Sequence, residues 1–330
     1  MHHILAVCDK DEAYAAKLVN YINLRGGFPF AARYFSSVER MKTFSMQQKI
    51  EVILVSEEYY KEAEEKTKPD KLILLGEKEI QTNFEMVWKY QSAASLMKQV
   101  LDILSKEEGI HSHISRKKKL KVIGFYSPVK RALQTSFALT LGQFLARKAR
   151  TLYLNLEACS GLEAVTGCGF AKDLSDLLYY LQNGKNGFSF YLYGMTEKIS
   201  DLELLPPMRC QLDLISITTK EWKQLLYEIE VCTEYEYLLL DLSDSIQGLY
   251  EILRNCDRVY TVAAEDEIAK AKLDQYEKMI TQCGYEDILE KTRNCSLPQL
   301  TCLPKHPERM TVSELGEEVR ILLKEDFYAK

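Results

Sequence analysis

Residues 121–157 are the part of the sequence that most constrains the fold, and they read KVIGFYSPVKRALQTSFALTLGQFLARKARTLYLNLE. An apolar strand at residues 121–126 runs into a loop and then into a helix with an apolar stripe at Ala138, Leu141 and Leu145. A second apolar strand at residues 151–156 follows. Strand, loop, helix and strand in this order predict a parallel α/β sheet, because parallel neighbours need a crossover connection.

The loop between strand and helix, residues 127–136, reads SPVKRALQTS. A working phosphate-binding loop reads GxxxxGK[ST]: glycines let backbone N–H groups close on the phosphates, and the lysine reaches the terminal ones. The segment resembles the MinD/ParA family of deviant P-loop ATPases, whose usual loop is SPKGGVGKTT. Compared with that form, the ends of the loop are kept and the middle has changed.

The substitutions fall on the residues that the resemblance makes functional. Val129 stands where the family has its extra signature lysine, Gln134 where it has the phosphate-binding lysine, and Thr135 matches the hydroxyl residue that binds magnesium. Three glycine positions carry side chains, those of Lys130, Arg131 and Leu133. If a nucleotide site is retained, the resemblance gives its candidate residues as Ser127, Lys130, Arg131, Ala132, Leu133, Gln134, Thr135 and Ser136.

The energetic cost of these changes predicts weak or absent binding of ATP and Mg²⁺. A non-glycine residue in a left-handed conformation costs about 1–2 kcal/mol, so three would cost about 3–6 kcal/mol. Micromolar binding corresponds to about 8 kcal/mol. Hydrolysis suffers more, because phosphoryl transfer depends almost entirely on positioning and charge stabilisation. We therefore expect a degenerate ATPase fold without a catalytic residue, unless Lys130 or Arg131 supplies charge by another route.

Two acidic residues match further positions of the same resemblance. The stretch 235–241 reads YEYLLLD, an apolar strand that ends in aspartate, as the Walker B strand does. Asp241 is therefore a candidate magnesium residue together with Thr135; its alternative is a structural turn or cap. Glu157 ends the second strand where MinD-like proteins have an aspartate that helps to activate water. It has the same charge and one additional methylene group.

The first hundred residues alternate short apolar strands with helical stretches. Strands are predicted at residues 3–8, 28–35, 51–55, 71–75 and 84–88. Helices are predicted at residues 11–24 and 91–104. Five strands that alternate with helices imply a doubly wound parallel sheet.

This part of the chain resembles the receiver domain of response regulators, with most of its chemistry replaced. Asp9 remains from the acidic pair, Ser56 stands at the phosphoacceptor aspartate, and Lys89 lies near the expected lysine. One carboxylate does not hold magnesium tightly, and a serine hydroxyl is no acyl-phosphate acceptor. We expect an interaction surface here, and the alternative for Asp9 and Lys89 is a surface pair or a helix cap.

The predicted fold class is α/β, with two doubly wound, mainly parallel sheets. Residues 1–105 form an atypical receiver-like (flavodoxin-like) domain, residues 106–119 a charged linker, and residues 120–330 an atypical MinD/ParA-like P-loop NTPase domain. Within the latter, a third core strand is predicted at residues 212–217, and helices at residues 172–182, 219–231, 265–282 and 311–324.

Composition excludes several classes of function. Nine cysteines without paired spacing predict reduced thiols in a cytosolic protein. The net charge of −5 gives no indication of nucleic-acid binding, and the basic run at residues 116–121 is expected to be solvated. No apolar run approaches a membrane span, and the first residues lack the features of a secretory signal. The final helix is too acidic for the basic membrane helix of MinD, so no direct membrane insertion is expected.

The order of the two domains resembles the Flp pilus (tight adherence) assembly family called TadZ or CpaE. The resemblance implies a cytoplasmic homodimer that marks the cell pole or a site at the inner face of the membrane. Its implied partners are pilus assembly and secretion proteins, including a secretion ATPase. Three hypotheses remain open at this point: a nucleotide-independent scaffold, an ATP-dependent dimerising switch of the MinD/ParA type, and an atypical response regulator.

Overall fold

The structure is a computed structural model. It describes residues 3–25, 28–77, 84–106, 119–130, 133–167, 169–184, 187–263, 266–297 and 303–328.

The amino-terminal part of the chain forms a five-stranded parallel sheet in the order β2-β1-β3-β4-β5, the flavodoxin-like order. Its elements are β1 (His3–Cys8), α1 (Glu12–Arg25), β2 (Phe30–Phe35), α2 (Val38–Ser45), β3 (Val52–Ser56), α3 (Glu57–Lys66), β4 (Lys71–Gly76), β5 (Met86–Trp88) and α4 (Ala93–Ser105). The central strands are continuous apolar runs, because both faces of a parallel sheet are covered by helices. β3 is buried along its whole length.

The rest of the chain forms a seven-stranded sheet in the order β12-β11-β6-β10-β7-β9-β8, in which only β8 pairs antiparallel among the described strands. Its strands are β6 (Lys121–Phe125), β7 (Thr151–Leu156), β8 (Glu197–Ile199), β9 (Leu202–Leu205), β10 (Tyr237–Leu242), β11 (Arg258–Ala263) and β12 (Thr292–Ser296). Two mainly parallel, doubly wound sheets are the predicted fold class, which is confirmed.

Ten α-helices follow β6 in the described part of the chain, and one of them, α8, belongs to the first unit. They are α5 (Gln134–Ala146), α6 (Leu162–Thr166), α7 (Leu174–Gln182), α8 (Phe188–Met195), α9 (Gln211–Ser216), α10 (Thr219–Cys232), α11 (Leu249–Asn255), α12 (Glu267–Gln282), α13 (Glu286–Glu290) and α14 (Glu314–Leu323). α5 lies in the core, where Phe137, Leu141 and Leu145 are buried. Its Gly142 approaches Leu239 and Leu202 so closely that an added Cβ would meet their methyl groups at 2.7 and 2.9 Å. This contact sets α5 directly against β10 and β9.

One predicted core strand is wrong. Residues 212–217 contain α9, and the strand beside β7 is β9, Leu202–Leu205. Leu214 is buried, whereas Leu212 is 75% exposed and Ile215 is also exposed. A short apolar run has too few residues to distinguish a helix from a strand by its period, and only the buried side chain of each turn needs to be apolar in a helix.

The last predicted helix is also shorter, because Pro307–Val312 forms a 3₁₀ turn before α14.

The chain divides into two compact units. The first unit consists of residues 1–115 and 180–195, and the second consists of residues 116–179 and 196–330. The predicted linker, residues 106–119, lies outside the described residues except for its two ends, so it stays a prediction. The first unit therefore contains a segment that the chain supplies late, after β7 of the second sheet.

Helix α8 packs against α4 within the first unit. Phe190 is fully buried and stacks on Phe30, with ring centroids 5.7 Å apart and an interplanar angle of 6°. Tyr180 stacks on Tyr191 at 4.1 Å and donates a hydrogen bond to the carbonyl oxygen of Ser105. These contacts make residues 180–195 part of the core of the first unit.

Candidate functional site

The candidate site lies at the carboxyl edge of the second sheet, where β6, β10 and β7 are neighbours. In the strand register Asp241 of β10 lies opposite Phe125 of β6 and Asn155 of β7. The loop after β6 leads into α5, which begins at Gln134. Parallel strands end at the same edge of a sheet, so this topology brings the P-loop-like segment and Asp241 together.

Asp241 is fully buried and receives hydrogen bonds from four side chains. Gln134 Nε2 donates to its Oδ1 at 2.6 Å. Thr135 Oγ1, the Tyr153 hydroxyl and Asn155 Nδ2 donate to its Oδ2 at 2.7, 2.8 and 3.0 Å. Asn155 also donates to the Tyr153 oxygen at 3.0 Å. We call these four donors and their acceptor the Asp241 network.

The electrostatics of the network follow from its burial. Burial raises the pKa of the Asp241 carboxyl above its ordinary value, against the lowering effect of the four hydrogen bonds that it accepts. Burial and the neighbouring Asp241 charge also raise the pKa of Tyr153 well above its ordinary value, so the phenol stays protonated and donates. The network therefore satisfies a buried acid with neutral donors from the chain itself.

Gln134 takes the place that the lysine of an intact P-loop would fill, and its amide makes two contacts. Besides Asp241, Nε2 donates to the carbonyl oxygen of Leu242 at 2.9 Å. An amide has no positive charge to offer a phosphate, and this one is buried and points at the strand β10.

The residues in this arrangement do not fit a magnesium–triphosphate group. Both oxygens of Asp241 and the hydroxyl of Thr135 are engaged with each other or with neighbouring side chains. In the parts of the chain that the structure describes, no cluster of three or more His, Cys, Asp or Glu side chains is placed to hold a metal ion. Thr135 and Asp241, the predicted metal residues, are joined by an internal hydrogen bond of 2.7 Å, and their role in metal binding stays a prediction.

The loop itself is held by a second set of contacts. Lys130 has a left-handed backbone with φ of 58°, at a position where the resemblance places a glycine. Its ammonium pairs with Asp244, whose Oδ1 also accepts a hydrogen bond from the Tyr126 hydroxyl at 2.7 Å. Burial opposes these contacts, yet together they lower the pKa of Asp244, which stays ionised. Lys130 is therefore already committed to a carboxylate of the same chain.

The remaining predicted residues of the loop have structural contacts. Ser127 Oγ donates to the carbonyl oxygen of Val262 at 2.6 Å, and Leu133 precedes α5 without a side-chain cap. The carbonyl oxygen of Ser136 accepts a hydrogen bond from Thr140 at 2.6 Å. Arg131 and Ala132 lie outside the described residues.

Glu157 follows β7 and is half-buried. Burial, followed by the negative charge of Asp241, raises its pKa from 4.5 to about 7. Its backbone N–H donates to Asn155 Oδ1 at 3.2 Å, which connects the residue to the Asp241 network through the strand end.

In the first unit, Asp9 and Lys89 form a buried ion pair, with Lys89 Nζ 2.8 Å from Asp9 Oδ1. The surface pair that was the alternative reading is therefore wrong, because both side chains are almost completely buried. Asp9 Oδ1 also accepts the backbone N–H of Asp11, just before α1. Ser56 ends β3 and is buried beside β1, where Cys8 and Val55 are in register. The three predicted residues therefore lie at one edge of the first sheet.

Sequence reasoning missed four residues that complete the site: Tyr126, Tyr153, Asn155 and Asp244. A signal was present for two of them. Alternate residues of a strand share a face, so Tyr153 and Asn155 had to point together, and polar side chains near the end of a buried strand require partners.

Comparison with known proteins gives similarity in structure only. No model of a protein family matches the chain, and no curated protein matches it. Among solved structures, the MinC:MinD cell division protein complex of Aquifex aeolicus aligns with a TM-score of 0.46 at 16% identity, over 64% of this chain and 98% of that one. A ParA family ATPase of Chlorobium tepidum TLS aligns with a TM-score of 0.45 at 15% identity, over 60% and 81%.

A third solved structure is a putative plasmid partition protein of Borrelia burgdorferi B31 bound to AMPPNP. It aligns with a TM-score of 0.44 at 13% identity, over 63% of this chain and all of that one. In the described portion of the present chain, every helix is too short or too polar to cross a bilayer.

Proposed function

We propose that this chain is a MinD/ParA-like protein that acts by holding other proteins and does not turn over ATP. The observation that carries the proposal is the Asp241 network: the acid that would hold magnesium is satisfied by Gln134, Thr135, Tyr153 and Asn155. A buried carboxylate with four donors is a stable arrangement that a metal ion would have to dismantle.

The charge of the loop supports the same proposal. Hydrolysis of a phosphoanhydride requires cations that stabilise the charge of the transferred group. Gln134 replaces one cation with a neutral amide, and Lys130 is paired with Asp244. Turning Lys130 toward a phosphate would break only this exposed, weak pair, but Gln134 would still offer no positive charge.

The proposed cellular role is that of a cytoplasmic localisation or scaffold protein for a Flp-type pilus secretion system, working as a homodimer with assembly proteins and a secretion ATPase. Support comes from the order of the two units and from the receiver-like sheet order before an eroded P-loop. The role predicts that a fluorescent fusion forms foci at the cell pole or membrane and that deletion of the gene removes surface pili. Diffuse fluorescence together with normal pili would refute it.

A second candidate is an ATP-dependent dimerising switch. It is favoured by the backbone of Lys130, which keeps a glycine-like conformation, and by the contact of 2.7 Å between Thr135 and Asp241, the two residues proposed for magnesium. This candidate requires Asp241 to exchange its donors for a metal ion when nucleotide arrives.

Titration of the full chain with ATP and Mg²⁺, followed by its melting temperature, separates the two candidates. A ligand at 100 times its dissociation constant stabilises the folded state by about 2.7 kcal/mol. We expect no change at millimolar ATP. An ATPase with an intact P-loop, measured in the same buffer, controls for active nucleotide and metal. A saturable rise in melting temperature, or phosphate release by the purified chain, would favour the switch.

A further inference from the structure

A cavity of about 410 Å³ lies in the second unit beside the candidate site. Its lining includes Tyr126, Asp244, Tyr250, Glu251 and Tyr285. Ligand pockets commonly have volumes of about 300–1,000 Å³. The volume is therefore sufficient for a side chain or a small molecule.

The cavity is at the topological switch point of the sheet. From β6 the chain crosses to β7 on one side, and from β10 it crosses to β11 on the other side, although β6 and β10 are neighbours. Tyr126 directly follows β6, and Asp244 follows β10 by two residues. Crevices at the carboxyl ends of strands where the connections diverge are the usual ligand sites of doubly wound sheets.

The chemistry of the lining favours a cation. Three phenol rings and two carboxylates face the cavity, and none of the described lining residues is cationic. The hydrogen bond from Lys223 lowers the pKa of Glu251, as the contacts of Lys130 do for Asp244, so both acids are ionised at neutral pH. Aromatic faces attract cations and carboxylates pair with them.

The acids of the cavity keep acceptor capacity. Asp244 accepts from Tyr126 and Lys130, and Glu251 accepts from Tyr285 at 2.9 Å and Lys223 at 2.8 Å. An ionised carboxylate offers about four lone-pair sites, so each acid has about two left. The side chains of Lys130 and Lys223 are 65% and 47% exposed. Exposed ion pairs of this kind contribute about 0–1 kcal/mol to stability, so an incoming cation could displace either lysine at little cost.

One neighbouring feature shows how this region holds a guanidinium group. Arg254 stacks its guanidinium over Tyr285 at 4.4 Å and binds Asp287 with two nitrogens, so a tyrosine and a carboxylate already hold an arginine here.

We infer that this cavity binds the guanidinium group of an arginine presented by a partner protein. Arginine fits better than lysine because its planar group can stack on a phenol and form forked hydrogen bonds with a carboxylate at the same time. That the arginine belongs to a protein rests on the proposed scaffold function. An arginine bound to Asp244 would also compete with Lys130, which would couple partner binding to the P-loop-like segment.

The test uses the full chain and three peptides that differ only in the central residue: acetyl-Gly-Arg-Gly-amide and the same peptide with lysine or citrulline in place of arginine. Citrulline has the shape of arginine without the charge. By isothermal titration we expect millimolar binding of the arginine peptide and at least tenfold weaker binding of the citrulline peptide, which is about 1.4 kcal/mol. Equal binding of the arginine and citrulline peptides, or no binding of the arginine peptide, would overturn the inference.

Variants place the binding at the cavity. The double variant Asp244→Asn, Glu251→Gln and the single variant Tyr250→Ala should each lose at least tenfold in affinity for the arginine peptide. Glu267→Gln is the matched control, because Glu267 is an exposed acid outside the lining that pairs with Lys270. Unchanged affinity in the double variant would place binding elsewhere and refute the assignment. The outcome is independent of the ATP titration, so failure of one proposal is distinguishable from failure of the other.

Discussion

The structural role of Asp241 can be separated from a role in metal binding by removing its carboxylate in the absence of nucleotide. In the Asp241→Ala variant, Gln134 keeps its bond to Leu242, and Asn155 keeps its bond to Tyr153. The hydroxyls of Thr135 and Tyr153 lose the acceptor that they donate to. A magnesium ligand, in contrast, would be dispensable for the stability of the nucleotide-free protein.

The expected loss of stability follows from these two stranded donors. A buried donor without an acceptor costs about 1–3 kcal/mol, so the free energy of unfolding should fall by about 2–6 kcal/mol. The matched control is Glu267→Ala, which removes an exposed acid of the same unit. Its pairing with Lys270 is of the exposed kind, so the loss should be at most about 1 kcal/mol.

The fluorescence of Trp222 reports the unfolding of the second unit separately from that of the first. It lies in α10 and is 2% exposed, and the only other tryptophan of the chain is Trp88 in the first unit. Urea unfolding is therefore followed by tryptophan fluorescence in a Trp88→Phe background, with Asp241→Ala and Glu267→Ala compared under the same conditions. If both variants lie within about 1 kcal/mol of the parent, the reasoning about the Asp241 network is refuted.

Three further outcomes are expected. The pKa of Glu157 is raised from 4.5 to about 7, so the stability that its protonated form contributes is fully present below pH 4.5 and is lost as the pH rises through 7. Glu157→Gln should therefore have the melting temperature of the parent at pH 4.5 and a higher one at pH 8. A difference in melting temperature that does not change between the two pH values would contradict this. Phe190→Ala should destabilise the first unit by about 3–5 kcal/mol and speed amide exchange in α4, whereas Tyr227→Ala, an exposed control, should not. Gln134→Lys should lower the pKa of Asp241 yet give no ATP-dependent rise in melting temperature, since the other side chains of the loop remain; a rise would argue for the switch.

Much of the fold was predictable because its signals are local. The parallel strands β1, β6 and β10 are apolar runs of sufficient length, and β1 and β6 are each followed by a segment with helical spacing. The order of the elements then implies the sheets. The strand at residues 212–217 was predicted wrongly because a run of six residues contains less than two helical turns, so its period is undetermined.

The candidate site was predictable only in part, for a different reason. The loop and Asp241 were found because a pattern of residue types marks them. That Gln134 would hydrogen-bond Asp241, rather than project into an open loop, depends on a contact across 107 positions of the chain. Likewise, no local pattern connects Tyr126 with Asp244, because the sheet order brings their strands together.

The late position of α8 has a consequence for synthesis on the ribosome. The first 115 residues of the first unit are made 80 residues before its last helix is complete at Met195. At about 5–20 residues per second, the nascent sheet waits roughly 4–16 s for the aromatic ring that stacks on Phe30. During that interval the apolar face of α4 that packs on α8 is accessible to chaperones. A truncated polypeptide that ends before residue 195 forms a first unit that lacks part of its hydrophobic core.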